Sequence, residues 1–511
     1  MIKRLKDLLG RIESAQTPLS YAIVTFLSAV MLRTFWEHTL LMRDPFSNDW
    51  GIDHAHYLFF YIALALTLAL LLYVLTGENI ARIMRVVLPS FIVLTIVPLI
   101  DRVSGASAFF NVTYYFPEKH PDIWEHFFFF FGRLESTGAT PGMRVEIALI
   151  LLVIALYIFI KTQRPWHAVC GTLMAYVIIF AYIAMPVLVQ GVAGLFKAKA
   201  QIDIAFNVRF YLMLIFPLGL GVLYAAGPHI FRAVFRDLRW MRLTQYLLLI
   251  VLGAVVCAKH FSGQVVFGQE GFFRVIFLLI SVTLAWAFCV ISNNWADEDI
   301  DRVANPRRPS VAGTVPAGVY RCIGWGCLWG AGIYALAINA ATLEIMAVFT
   351  GAYSLYSMPP LRLKRVPVLS KFVIGLNALL MFMLGYMFWA NSTTIQLPFI
   401  LFFLLFFTFS ANFIDIKDHD GDLAAGIKTL PVLLGPLWAK RLIGLSFVVT
   451  YLAAYETFML QGFFWGCLAT GAVQCILINR KNYDERPVLI IHVASLIFII
   501  GYVLRTTGMG L

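Results

Sequence analysis

A chain of 511 residues that is 60% hydrophobic and only 13% charged, with a mean hydropathy of +0.82, is too apolar to be a water-soluble domain of that size. Its net charge of +11 sits in short connections between apolar runs, where basic residues report membrane orientation, so it does not argue for nucleic acid. The seven cysteines are scattered, mostly inside apolar runs and without metal-ligand or redox spacing, and read as buried packing.

Windows of about 20 apolar residues, the length of a membrane-spanning helix, recur from Leu19 to the end. In lipid every backbone polar group must be satisfied within its own segment, so these windows are expected to be helices. The opening MIKRLKDLLGRIESA is basic and amphipathic and is expected to lie as a short helix on the cytoplasmic surface. The next apolar run has full spanning length, so a cleavable signal peptide is not expected. Six spans follow near residues 18–41, 55–76, 84–100, 144–161, 167–189 and 209–227, which return the chain to the cytoplasmic side at FRAVFRDLRWMR. The long connection from Asp101 to Arg144 is expected to be external, its aromatics suiting an interfacial belt or a re-entrant segment.

The first span carries Arg33, Glu37 and His38 near its outer end. Arg33 and Glu37 stand at helical i, i+4 spacing and read as an ion pair snorkelling to the interface, in preference to a polar site shared with Asp44, Asp49 and Asp53. His54 with His56, or His120 with His126, would each need a third ligand to hold a metal, and none stands at a telling spacing.

About nine further spans fit the length criterion, near residues 243–260, 272–298, 320–340, 343–358, 368–391, 396–416, 438–459, 462–479 and 487–505. Two connections among them are chemically dense. The first, NNWADEDIDRVANPRRPSVAGTVPAG, puts Asn293, Asp297 and Asp301 at i, i+4 and i+8, one face of a helix, with Asp299 off it. The second, ANFIDIKDHDGDLAAGIKTLPVLLG, puts Asp415, Asp418 and Asp422 at i, i+3 and i+7, with Asp420 off the face. Each acidic face has basic residues near it: Arg302, Arg307 and Arg308 after the first, Lys417 and Lys428 in the second. Carboxylates at the ends of membrane spans are costly unless something uses them. Mg²⁺ bridges carboxylates to phosphate oxygens, and Arg and Lys neutralise the remaining phosphate charge, so the pair of segments suits a diphosphate.

At these residues the chain resembles the UbiA superfamily of intramembrane prenyltransferases. The resemblance rests on Asn293, Asp297 and Asp301 followed by Asn305-Pro306 and Arg308-Pro309. It continues in the YSMPPLRLKR stretch, Tyr356 to Arg365, and ends in Asp415, Asp418, Gly421-Asp422, Gly426 and Thr429-Leu430-Pro431. These three motifs stand in the family's order and cover roughly residues 232–511. Two departures are visible: Asn294 stands where many members carry Asp, and the six-span first half lies outside the family's core.

The resemblance implies an all-α polytopic bundle of about nine helices over residues 232–511; the spans of residues 1–231, read from length alone, form an extra bundle of about six and of unknown role before it. It implies an integral-membrane enzyme, in the inner membrane if the source is bacterial, with its N-terminus and acidic motifs cytoplasmic. The implied activity is Mg²⁺-dependent transfer of an isoprenyl group from a prenyl diphosphate to a lipidic or aromatic acceptor. Asp297, Asp301, Asp418 and Asp422 are the expected catalytic metal ligands. Asn293, Arg308, Tyr353, Tyr356, Lys364, Asp415 and Lys428 are the expected substrate contacts. Within the superfamily the alternatives are transfer to a glycerol phosphate ether, haem or a phosphosugar. From another class, a lipid transporter or flippase also fits many spans and intramembrane charges, but no inverted repeat relates the two halves.

Overall fold

The structure is a computed structural model, and among the described residues every regular element is helical. Those residues are 2–14, 16, 18–40, 50–105, 114–115, 123–132, 139–195, 201–260, 269–389, 394–424 and 426–506. They form two compact units, Met1–Phe231 and Arg232–Leu511. Among the described residues, twelve helices are long and apolar enough to cross a membrane. Three of the fifteen expected spans are helical but fall short of that standard. Ala317–Leu336 is diluted by glycines and Arg321, Ala340–Ser357 carries Glu344 and a hydroxyl-rich end, and Phe464–Ile478 has only 15 residues.

In the N-terminal unit the opening helix Ile2–Glu13 is fastened by its last residue. Glu13 is buried and accepts from Tyr157 Oη at 3.0 Å and Lys161 Nζ at 2.5 Å, while Lys161 also reaches Glu78 at 2.8 Å. Burial of one cation between two carboxylates pulls the short helix against the Pro141–Thr162 helix. In the connection after Asp101, Tyr115 and Phe131 are fully buried, with Tyr115 Oη on the Phe131 carbonyl at 3.2 Å, whereas Trp124 and Phe128 are exposed. The aromatics of this segment therefore divide between the unit's core and its surface.

Arg33, Glu37 and His38 do not snorkel. They are 3%, 6% and 3% exposed, inside the bundle of the Leu19–Leu40 and Trp50–Thr76 helices. Tyr57 donates to Glu37 from the second helix at 3.0 Å, and its ring takes the Arg33 guanidinium at 4.5 Å, so the partners that hold the pair inside come from elsewhere in the chain. Asp53 lies 3.7 Å from His38, whereas Asp44 and Asp49 fall outside the described residues. His54 stacks on His38 and His56 pairs with Tyr114 Oη, while His120 lies outside the described residues.

The C-terminal unit is drawn together by close backbone crossings. Helices Trp240–His260 and Leu369–Trp389 meet where a Cβ on Gly253 would strike the Phe382 carbonyl and a Cβ on Gly385 would strike that of Ile250. With no hydrophobic force between helices in lipid, such close approach of backbones is a main source of association. The span Leu397–Ile416 is irregular, with a π-helical stretch over Phe402–Phe407 and a 3₁₀ turn over Ala411–Ile416. Irregular backbone at this depth is tolerated where it lines a cavity, and Phe402, Phe403 and Phe407 do line one.

Candidate active site

The first acidic segment straddles a helix junction. The Gln269–Ala296 helix stops at Asp297, whose φ of −105° and ψ of 11° start the short Glu298–Ala304 helix. The backbone ladder nevertheless continues, Asp297 N to Asn293 O at 3.0 Å and Asp301 N to Asp297 O at 2.8 Å, and so the helical phase survives the break. Asp297 and Asp301 are buried at 8% and 3%, and Asp299 is exposed.

Each inward carboxylate meets a cation. Lys364 donates to Asp297, and Arg308 donates to Asp301, which also accepts from Asn305 Nδ2 at 3.0 Å. Burial pushes the Asp301 carboxyl above its ordinary range against the pull of Arg308, and burial lowers the Lys364 ammonium against the pull of Asp297. Asn293 is half-buried and accepts from Ser357 Oγ at 2.9 Å, which ties this segment to the end of the Ala340–Ser357 helix.

Asn294 has a different task. It is fully buried, donates to Asp237 and to Tyr320 Oη (2.9 Å), and accepts from Arg239 at 3.0 Å. A carboxylate at this position would face the Asp237 carboxylate, which gives the departure from Asp a physical reason.

The second segment begins on the 3₁₀ turn and continues into the short His419–Ala424 helix. Asp415 is buried, with one oxygen taken by Lys371 Nζ at 2.5 Å and the other buried without a partner. Asp422 is half-buried, and burial, reinforced by Asp415, pushes its carboxyl up to about 6. Asp418 is exposed, as is Asp420, which pairs with His419 at 2.8 Å.

Tyr356 links the segments electrostatically, feeling Lys371 and Asp415 of one and Asp297 of the other. Tyr353 hydrogen-bonds Tyr246 at 2.8 Å, and its ring packs on Trp286. Tyr353, Tyr246 and Arg242 line the polar mouth of a pocket that shares Phe407, Ser410, Phe447 and His492 with a deeper, apolar one. Lys428 is exposed and, among the described residues, makes no hydrogen bond or ion pair with this cluster.

Two contributors were not anticipated. Lys371 is 3% exposed inside a membrane helix; a lone lysine in an apolar run was the available signal. Arg362 donates to the Ala296 carbonyl at 2.6 Å, capping the helix that delivers the first segment, and nothing in its basic loop distinguishes it from an orientation signal. Among the described residues no group of three or more His, Cys, Asp or Glu side chains stands preassembled around a metal-sized point.

Residues 246–489 match the model of the UbiA prenyltransferase family. Digeranylgeranylglyceryl phosphate synthase of Methanopyrus kandleri is 32% identical over 155 residues, 29% of this chain and 54% of that protein. The bacteriochlorophyll synthase 33 kDa chain of Cereibacter sphaeroides is 31% identical over 169 residues, 30% and 51% of the two. The chain thus spans about half the length of the curated relatives it matches. A solved UbiA homologue from Archaeoglobus fulgidus bound to GPP and Mg²⁺ aligns with 54% of this chain and all of its own, at 20% identity and a TM-score of 0.45. Residues 246–489 of this chain are thus similar to the UbiA prenyltransferase family, and residues 1–245 lie outside the matched region.

Proposed function

We propose that the C-terminal unit is a membrane-embedded prenyltransferase that moves an isoprenyl group from a prenyl diphosphate to a lipidic or aromatic acceptor and releases diphosphate. The observation that carries this reading is the pairing of Asp297, Asp301 and Asp415 with Lys364, Arg308 and Lys371 in a unit that also holds a pocket turning from polar to apolar. A diphosphate needs charged partners, and its isoprenyl chain needs an apolar bed; Ile414, next in sequence to Asp415, and Ile374, three residues from Lys371, line the pocket.

The donor set fits Mg²⁺. It consists of carboxylate oxygens, and Asp415, which acts on Asp422 of that set, keeps one oxygen buried without a partner. The lack of a ready-made cage suits an ion that commonly takes one or two carboxylates and completes its shell with substrate phosphates and water. Asp297 and Asp301 on one side and Asp418 and Asp422 on the other would hold it. When bound, Mg²⁺ supplies Lewis acidity to the diphosphate oxygens.

The chain's own residues do the rest. Lys364 and Arg308, which stand beside Asp297 and Asp301, would neutralise phosphate oxygens of the bound diphosphate. The allylic C–O bond then breaks with its electron pair leaving on the diphosphate, and the three cations stabilise that charge. Tyr356 and Tyr353 offer ring faces to the allyl cation. The acceptor's nucleophilic atom forms the new bond and gives up a proton. Asn293, held by Ser357, keeps the first segment in phase. The exposed Lys428 would reach a phosphate only as the substrate enters. The basic residues of the connections support a cytoplasmic mouth.

The acceptor is the open variable. Full-length protein in membranes, given labelled prenyl diphosphates with phenolic, tetrapyrrole and glycerol phosphate acceptors, is expected to release diphosphate only with Mg²⁺. Absence of metal-dependent release with every donor would sink this reading.

A further inference from the structure

The N-terminal unit contains a second charged centre, and its argument does not rest on the prenyltransferase reading. A cavity of about 30 Å³, room for one or two water molecules, is bounded by Arg33, Tyr57, Phe60, Tyr61, Glu146 and Ile150 among others. Both ionic residues are more than nine-tenths buried, Arg33 at 3% and Glu146 at 7% exposed. Arg33 spends Nη1 on Glu37 at 2.9 Å, and its Nε has no partner. Glu37 is fully engaged, since Tyr57 Oη takes its other oxygen at 3.0 Å. Glu146 has no hydrogen bond or ion pair among the described residues.

The surrounding charge does not close. The ionic groups that act on Glu146 are Arg33 and Glu37 from the Leu19–Leu40 helix and Asp101 from the Val97–Val103 helix. Asp101 is satisfied as an anion by Thr140 Oγ1 at 2.8 Å and the Gly142 amide at 2.7 Å. The neighbouring Trp50–Thr76 helix contributes Tyr57, Phe60, Tyr61 and Leu64 to the lining and no charged group, and the Pro165–Ile183 helix only Ile179 and Ile183. One guanidinium therefore serves three carboxylates. An unpaired carboxylate buried within a membrane bundle is expensive, and a single positive charge removes the cost.

We propose that this cavity is a site for one exchangeable monovalent cation, a proton or a sodium ion, carried on Glu146. The space admits a bare or singly hydrated ion and no organic molecule. The Arg33 Nε–H would anchor the accompanying water, and Tyr61 lines the same space. A bundle with such a site can couple its conformation to proton or sodium occupancy, an activity separate from diphosphate chemistry.

The test uses the full chain in lipid nanodiscs, with and without sodium and with choline as the inert control. A hydrophobic carbodiimide, which reacts with protonated carboxyls, is added across a pH series, and the peptide bearing Glu146 is read by mass spectrometry. Infrared difference spectra of the wild type against E146Q report the protonated carboxyl band independently of reagent access. The proposal expects an adduct and a band that vanish in E146Q. With a resident proton both fall roughly tenfold for each pH unit above the midpoint and ignore sodium. With a resident sodium ion both are suppressed by sodium and not by choline. No adduct at any pH, together with no band that responds to pH or sodium, makes Glu146 a fixed carboxylate and overturns the proposal.

Discussion

Lys371 meets Asp415 inside the membrane-spanning part of the C-terminal unit, Nζ to Oδ1 at 2.5 Å, with the lysine only 3% exposed. The pair lies between two helices that are otherwise apolar, so removing one partner leaves the other as an uncompensated buried charge. Lys371→Met is expected to cost about 3–5 kcal/mol, read as a lowered unfolding temperature in detergent. Asp415→Asn in the same molecule removes the stranded charge and is expected to recover a large part of that loss. If the double variant is no more stable than the single one, the pair is not what holds these helices together.

The first acidic segment contains its own control. Asp297 and Asp301 are buried against cations, and Asp299, between them, is exposed. Asp297→Asn or Asp422→Asn is expected to lower turnover by roughly 10²–10³-fold, the scale for loss of one preorganised electrostatic contact. Asp299→Asn should stay near wild type. Initial rates of diphosphate release decide it, and equal losses in all three variants would mean that helical phase does not sort these residues.

The phase of that segment was legible because it depends only on spacing along one stretch of chain, and it survived the helix break at Asp297. The position of Lys364 beside Asp297 was legible only through a motif, since 67 residues separate the two. Lys371 was not read, because a single lysine in an apolar run has no periodicity to announce it. The depth of Arg33 was misread for a related reason: its burial comes from Tyr57 and Glu37 acting together, and spacing on one helix says nothing of a neighbouring helix that covers it. Length alone brought Ala317–Leu336 among the expected spans, and its glycines are what dilute its apolar character.

Metal removal should separate activity from folding. Asp301, Asp297 and Asp415 are each paired directly with a cation of the chain, Arg308, Lys364 and Lys371. A chelator is therefore expected to abolish diphosphate release while leaving helical content and the unfolding temperature nearly unchanged, and added Mg²⁺ to restore release. A large loss of helicity on chelation would instead make the ion a structural element.

The helix crossing that supports the pocket offers a last test, remote from any charge. Gly385 of the Leu369–Trp389 helix faces the Ile250 carbonyl, and Gly253 of the Trp240–His260 helix faces that of Phe382, each so closely that a Cβ cannot be admitted without moving backbone. Backbone yields less readily than a side chain, so overpacking here should cost at least the usual 1–3 kcal/mol or so. Leu249 and Leu252 of the Trp240–His260 helix line the apolar pocket, and pushing the helices apart displaces them. Gly385→Ala is thus expected to lower the unfolding temperature and to raise KM for long-chain donors more than for short ones. Gly501→Ala, where a Cβ would meet open space, should do neither. A variant at Gly385 with wild-type stability and chain-length preference would mean that the crossing does not shape the pocket.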